Sequence, residues 1–227
     1  MIPRIILALA ISVLVLPVEI SYSDNNFIAG IELGSFSKKL NQIPLAAIAG
    51  DPDDSGFYLI SFGLKAGHRF KKFTLMFDYS TADNGILSAD SEDPPYISHA
   101  ISHFSATAKS RFKSFARISI SGSVGGLYSQ LKINSTGDPI PIYKYSDSGL
   151  LIGTSIRYDL FEKAGGGKAY IRLSYSRAFN KHNCNILAAS IGIGSNDWGR
   201  IYINYRYAEQ TDIYRLHTII LGFDKYF

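Results

Sequence analysis

The sequence predicts an all-β fold: a transmembrane antiparallel up-and-down β-barrel of ten strands, with eight strands as the alternative. First, apolar and polar residues alternate with a period of two through most of the chain. Second, the gaps between these segments are mostly long and short in turn, as in membrane barrels, which have short turns at one end and longer loops at the other. Third, the chain has 15 Tyr, 14 Phe and 20 Gly but a mean hydropathy of only +0.05, which suits strands with one polar face.

Residues 1–23 are predicted to be an export signal that is removed from the mature protein. Arg4 provides a positive charge before an apolar segment at 5–18, and Ser23 is a small residue of the kind found before a cleavage site. The apolar segment is shorter than the roughly 20 residues of a membrane helix. We therefore expect cleavage after Ser23 and a mature β-barrel domain at 24–227.

The first five strands are predicted from segments with one apolar face and one polar or small face. They lie at 27–36, 56–67, 71–81, 97–110 and 114–131. Their apolar faces include Ile60 and Phe62, Leu75 and Phe77, and Ile118 and Ile120. Alternation of this kind is typical of a strand with two different environments on its two sides.

The last five strands follow the same pattern. They lie at 147–160, 168–179, 184–195, 199–208 and 214–227. Their apolar faces include Ile152 and Ile156, Ile171 and Leu173, Ile201 and Ile203, and Ile219 and Leu221. An even number of strands returns the end of the chain to the side of the membrane where it began.

The predicted short turns carry mostly basic residues, whereas the longer loops carry mostly acidic ones. These turns lie at 67–71, 109–113, 161–168 and 196–200. If the first strand runs outward, every short turn faces the periplasm and every longer loop faces the cell exterior, as in bacterial membrane barrels. The charge asymmetry supports this orientation only weakly, because the ends of any hairpin tend to be charged.

Charged residues on the predicted inner face form the candidate site. This lumen charge network comprises Glu32, Asp78, Arg117, Arg157, Arg172, Arg206 and Asp224. Two interpretations are open: ion pairs that fill a narrow lumen, or the charged constriction of a pore. A ten-stranded lumen is slightly wider than that of an eight-stranded barrel, whose side chains just fill it, so we expect a lumen that is largely filled.

The last strand carries the most specific sequence feature. Ile219, Leu221, Phe223 and Phe227 are apolar at alternating positions, and the chain ends on Phe227. In this respect residues 24–227 resemble the small bacterial outer-membrane β-barrel proteins of the OmpA-like, opacity-type class. Lys225 departs from that pattern, in which an aromatic residue is usual, and Tyr226 stands one place later. The resemblance implies that the barrel-assembly machinery recognises these four residues, and that the protein resides in a Gram-negative outer membrane among its lipids and lipopolysaccharide.

A non-enzymatic structural or surface-interaction role is therefore expected, with loops displayed at the cell surface. A porin-like pore for small solutes is the alternative. A lipid A-modifying enzyme is a third hypothesis, because His103-Phe104-Ser105 resembles the His-x-Ser of outer-membrane lipid A deacylases; Ala106, however, stands where an Asn follows in that motif.

No catalytic, cofactor or metal site is predicted. The acidic segment at 50–56 begins like a calcium loop, but Phe62 stands at the position of its final Glu. The net charge is +4 and the basic residues are dispersed, so a nucleic-acid partner is not expected. The protein is expected to be a monomer.

Overall fold

Ten antiparallel strands form a closed barrel in the computed structural model of the protein, which describes residues 26–40, 59–83, 97–135, 143–162, 167–195 and 199–227. Each strand pairs with its neighbours in the sequence, and the first strand pairs with the last. The predicted fold class and strand count are therefore confirmed. The predicted export signal at 1–23 lies outside the described residues. Within the described part of the chain, no helix is long and apolar enough to cross a membrane.

The strands are β1 (Phe27–Leu40), β2 (Leu59–Arg69), β3 (Thr74–Asp83), β4 (Ile97–Phe115), β5 (Ile118–Ser135), β6 (Tyr143–Glu162), β7 (Lys168–Phe179), β8 (Cys184–Ser195), β9 (Gly199–Gln210) and β10 (Tyr214–Tyr226). Up-and-down connectivity places the connections at two ends. At the short-turn end lie the turns 70–73 and 116–117, the start of β1, the end of β10, and the strand termini Glu162, Lys168, Ser195 and Gly199. At the loop end lie the connections 180–183 and 211–213 and the strand termini Leu40, Leu59, Asp83, Ile97, Ser135 and Tyr143.

Alternation along each strand decides which side chains line the lumen. On β7, for example, Ile171 and Leu173 are exposed on the outside, whereas Arg172 between them points inward. The same period of two holds on β9 and β10, where even-numbered residues are mostly buried. The predicted facing of these strands is therefore confirmed.

The hairpin between β4 and β5 differs from the sequence prediction. Residues 109–113 belong to β4, and the turn lies at Ala116 and Arg117, where Ala116 adopts a φ of 43°. The basic residues of 109–113 suggested a turn, but long Lys and Arg side chains are compatible with a strand, because their stems pack while their charges reach water. A bulge between Arg111 and Lys113 adjusts the register.

Backbone hydrogen bonds close the barrel where the chain begins and ends. The Phe27 amide donates to the Phe227 carbonyl at 3.2 Å, and the Phe227 amide donates to the Phe27 carbonyl at 3.0 Å. The two rings lie 6.1 Å apart between centroids. Because β1 and β10 pair along their full length, these two strands leave no open sheet edge.

The lumen is divided into an apolar part and a charged part. At the loop end, inward side chains pack into an apolar cluster formed by Phe36, Ala82, Ile101, Leu131, Ile133, Ala208, Ile213, Tyr214 and Leu216. Towards the short-turn end, the inward side chains include Glu32, Lys65, Arg172, Tyr202 and Asp224 among small residues. The two parts meet near the middle of the barrel.

The outer surface carries an apolar band. Large apolar side chains are exposed on all ten strands, among them Leu33, Leu64, Phe77, Phe104, Val124, Ile152, Leu173, Leu187, Ile203 and Leu221. Aromatic side chains collect towards the two ends of the band. Phe27, Phe70, Phe112, Phe115 and Phe161 lie at the short-turn end, and Tyr79, Tyr128, Tyr175, Phe179 and Tyr205 lie towards the loop end.

Candidate functional site

Glu32 lies at the centre of the charged part of the lumen and is only 3% exposed. Lys65 Nζ donates to Glu32 Oε1 at 2.5 Å, and Arg206 Nη2 donates to Oε2 at 3.2 Å. The position of Glu32 follows from strand pairing, because its neighbours in register are Gly63 on β2 and Gly222 on β10. Two glycines beside it leave space for the long side chains that converge on its carboxylate.

Tyr202 connects Glu32 to a second carboxylate. Its hydroxyl lies 3.0 Å from Glu32 Oε1 and 3.3 Å from Asp224 Oδ1, and it accepts a hydrogen bond from Lys65 Nζ at 2.6 Å. A phenol has one proton, so Tyr202 can donate to only one of the two acids at a time. The ring of Tyr202 covers Gly222, and a Cβ atom at that position would overlap it. A glycine is therefore needed there for the ring to occupy the lumen.

Asp224 is fully buried and pairs with Arg200 from the adjacent strand β9. The guanidinium of Arg200 also lies 5.6 Å from the centre of the Tyr202 ring. We call the six residues that these contacts join the charge cluster: Glu32, Lys65, Arg200, Tyr202, Arg206 and Asp224. Its three cations and two carboxylates are nearly balanced, as expected for buried charges, which are costly unless they are paired.

A second group of cations lies on the opposite side of the lumen. Arg157 Nε donates to Asp159 Oδ1 at 2.6 Å, and its guanidinium lies 4.3 Å from the centre of the Tyr170 ring. Arg172 faces Arg157 directly across the β6–β7 pair. The Nε atom of Arg172 is buried and has no hydrogen-bond partner among the described residues.

The structure places six of the seven residues of the predicted lumen charge network on inward-facing strand positions: Glu32, Asp78, Arg157, Arg172, Arg206 and Asp224. Of these, it brings Glu32 and Arg206 into direct contact. Asp78 is the register neighbour of Lys65.

Arg117 is the exception. It lies exposed in the β4–β5 turn, where Nη1 donates to the Leu160 carbonyl at 3.2 Å. Arg117 therefore takes no part in the lumen contacts, because the strand that was expected to carry it begins one residue later.

The sequence-based set omitted three members of the charge cluster. Lys65 was on the predicted inner face, and its alternation with Leu64 already indicated its direction. Arg200 was assigned to a turn, although it shares the parity of Arg206 on β9. Tyr202 gave no signal of its own in the sequence, because an inward tyrosine is as common in a packed lumen as in a binding site.

The His103-Phe104-Ser105 motif does not form a hydrolytic site within the described residues. His103 points into the lumen, where its Nε2 atom lies 2.5 Å from the hydroxyl of Tyr214. No carboxylate among the described residues contacts its ring to orient it, as a nucleophile's base requires. A cavity of about 10 Å³, lined by His103, Ser61, Arg206 and Thr218 among others, has room for a single water molecule. The described residues also contain no group of three His, Cys, Asp or Glu that could hold a metal ion.

No protein-family model and no curated protein sequence matches the chain. Solved structures similar to it include Ail, the attachment invasion locus protein of Yersinia pestis, at 14% identity over 89% of this chain and 98% of that chain, with a TM-score of 0.43. The outer membrane protease OmpT of Escherichia coli is similar at 9% identity over 92% and 99%, with a TM-score of 0.48. The translocator domain of the autotransporter NalP from Neisseria meningitidis is similar at 10% identity over 92% and 91%, with a TM-score of 0.47. These similarities concern barrel architecture alone.

Proposed function

We propose that the chain is a bacterial outer-membrane β-barrel that keeps its own lumen closed and has a structural or surface-interaction role. Its neighbours are then the outer-membrane lipids and lipopolysaccharide, and the barrel-assembly machinery inserts it. The observation that carries this proposal is a closed barrel that is apolar around its outside and packed inside. A small-solute pore would need the same outside and an open inside.

The outer surface supports a membrane location. Leu173 is 56% exposed and Leu221 is 59% exposed, although both lie in the middle of paired strands. A monomer in water rarely exposes apolar patches larger than a few hundred Å², whereas this band continues from strand to strand around the barrel. In a bilayer the same side chains contact hydrocarbon, and the aromatic side chains towards the two ends lie near the interfaces.

The connections support the orientation. Outer-membrane barrels have short periplasmic turns and longer extracellular loops. Here residues 41–58 separate β1 from β2 in the sequence and residues 84–96 separate β3 from β4, whereas only residues 116–117 separate β4 from β5 at the opposite end. The loop end is therefore assigned to the cell exterior, where its loops are available to contact other molecules.

Two different barriers support a closed lumen. The charge cluster links side chains of β1, β2, β9 and β10 by ion pairs, and the apolar cluster fills the loop end with Phe36, Leu131 and Tyr214. A hydrated ion would have to separate buried ion pairs and then pass the apolar cluster and the hydrogen-bonded side chains of Ser129, Gln210 and Asp147 beside it. Both steps are unfavourable, so we expect the barrel not to conduct.

Planar-bilayer recording tests the closed lumen. Purified full-length protein, folded in detergent and inserted into a bilayer, should leave the membrane current at its baseline. Insertion is verified separately by the gel mobility shift on heating and by recovery of the folded protein from vesicles of the same lipid. Steady ohmic currents that increase with the amount of inserted protein would contradict the proposal and establish the pore in its place.

A further inference from the structure

We propose that Lys109, Arg157 and Arg172 form a binding site for a small oxyanion, such as phosphate or sulfate, in the short-turn half of the lumen. This site goes beyond the structural or surface-interaction role proposed above. It is independent of whether the barrel conducts.

The first observation is the register of two arginines. Arg157 on β6 and Arg172 on β7 are directly opposite each other, and both point into the lumen. Like charges placed directly opposite on neighbouring strands destabilise a sheet. Asp159 compensates only one of them, since its carboxylate accepts a hydrogen bond from Arg157 Nε at 2.6 Å. A second anion between the two guanidinium groups would compensate the other.

The second observation is the environment of Arg172. Its Nε atom is buried without a hydrogen-bond partner among the described residues, and its guanidinium lies 5.8 Å from the centre of the Tyr170 ring. A buried donor that remains unsatisfied costs free energy, and the cost is larger for a charged group. Native structures avoid such donors unless a bound group or water satisfies them. The planar fork of a guanidinium matches the oxygens of phosphate or sulfate.

The third observation is Lys109, which reaches the same region from β4. Lys109 pairs in register with Ser123 on β5, and Ser123 pairs with Gly153 on β6, which lies on the same inward face as Arg157. Lys109 forms no hydrogen bond or ion pair with the described residues, whereas Arg200 is neutralised by Asp224. Lys109 and Arg172 are thus two cations without a bound carboxylate.

The site is open to solution at the short-turn end. The side chain of Arg157 is 26% exposed and that of Asp159 is 31% exposed, in contrast to the closed charge cluster. An ion from the periplasmic side can therefore reach Arg157 without passing the apolar cluster. Two uncompensated positive charges match a doubly charged ion, so hydrogen phosphate or sulfate should bind more tightly than chloride.

Isothermal titration of the folded, full-length protein in a neutral detergent tests the site. Sodium phosphate, sodium sulfate, glycerol phosphate and sodium chloride are compared at constant ionic strength. We expect one saturable phosphate or sulfate per barrel and a higher melting temperature in either salt. Glycerol phosphate distinguishes the source of the anion: equal binding indicates a phosphomonoester headgroup, and weaker binding indicates the free ion. No saturable binding, or equal stabilisation by chloride, would overturn the proposal.

Arg172→Gln should weaken phosphate binding at least about tenfold, because the charged fork is lost. Arg177→Gln is the matched control, since Arg177 lies on the same strand but on the outer face. In phosphate-free buffer Arg172→Gln should melt at or above the wild-type temperature, and in phosphate below it. A lower melting temperature in both buffers would mean that Arg172 is merely structural and would overturn the site. If that variant does not fold, Lys109→Gln replaces it, with the exposed Lys113→Gln as control.

Discussion

The carboxylate of Glu32 accepts hydrogen bonds from Lys65 on β2 and Arg206 on β9, so one side chain ties together strands that meet on either side of the β1–β10 closure. A buried acid in this position has two effects on stability. Its pairing compensates its own desolvation, and it also allows two cations to remain buried. Removing the acid leaves Lys65 and Arg206 buried without their anionic partner. The loss of folding free energy should therefore exceed the energy of the hydrogen bonds that Glu32 itself makes.

Glu32→Gln should lower the free energy of unfolding by about 3–5 kcal/mol, because Lys65 and Arg206 would stay buried without an anionic partner. Urea unfolding in lipid vesicles, followed by tryptophan fluorescence and the heat-dependent mobility shift, measures the change. Asp159→Asn is the control, since its pair with Arg157 is more exposed and should contribute less. Equal losses in the two variants would show that burial does not set the energy of these pairs.

For single residues, the sequence predicted which side chains face the lumen but not which side chains they contact there. Alternation placed Glu32, Arg172 and Asp224 on the inner face, because a period of two needs only local residues. Whether Glu32 meets Lys65 or another cation depends on how ten strands are staggered around the barrel. That stagger is a property of the closed sheet, so the contacts that Tyr202 and Arg200 make could not be identified from the chain alone.

The last strand, β10, shows what an element contributes. Its outward residues Ile219 and Leu221 belong to the apolar band, while Gly222 and Asp224 face the lumen. Phe227 follows the strand and exchanges two backbone hydrogen bonds with Phe27. The final residue therefore helps to complete the ring of strands, which is a structural reason for it to matter in addition to the recognition that the family resemblance implies.

Deleting Phe227 should reduce the amount of assembled barrel in the outer membrane, because the closing pair loses hydrogen bonds and the terminal apolar side chain. Phe227→Asp should have the same direction of effect. The assay is quantification of the heat-modifiable form in membrane fractions. Phe77→Ala serves as control, since it removes an outward phenylalanine from the middle of β3. Assembly as efficient as that of the control would exclude a special role for the last residue.

The sequence predicted the number of strands and their approximate positions, but it predicted the residues at which strands end less accurately. Ten periodic segments correspond to ten strands. The basic residues at 109–113 predict a turn, but the chain turns at Ala116 with a positive φ that its residue type does not favour. The bulge between Arg111 and Lys113 likewise could not be predicted from the pattern of apolar and polar residues.

The two ends of the barrel differ in the side chains that line the lumen. The short-turn end holds the termini and the more open cations, and the loop end holds the apolar cluster. This polarity, together with the outer band, requires one orientation in the membrane if the longer loops face the exterior. The orientation is a property of the entire barrel, because up-and-down connectivity places alternate connections on opposite sides of the membrane.

Lys181→Cys in the β7–β8 turn should react with a membrane-impermeant maleimide on intact cells, and Lys72→Cys in the β2–β3 turn should not. Both native lysines are exposed, so access to the reagent is what differs. The wild-type protein provides the background, because Cys184 is fully buried. Permeabilised cells should label both variants. Reaction of Lys72→Cys but not Lys181→Cys on intact cells would reverse the proposed topology.

The apolar cluster is built almost entirely from strand residues, with Ile213 as its contribution from a connection. The strands themselves therefore provide the side chains that fill the lumen at the loop end. Substitutions in the connections, Ile213 excepted, leave the members of this cluster unchanged. Under the proposed surface-interaction role, the connections can therefore vary in sequence while the strand residues that close the lumen stay the same.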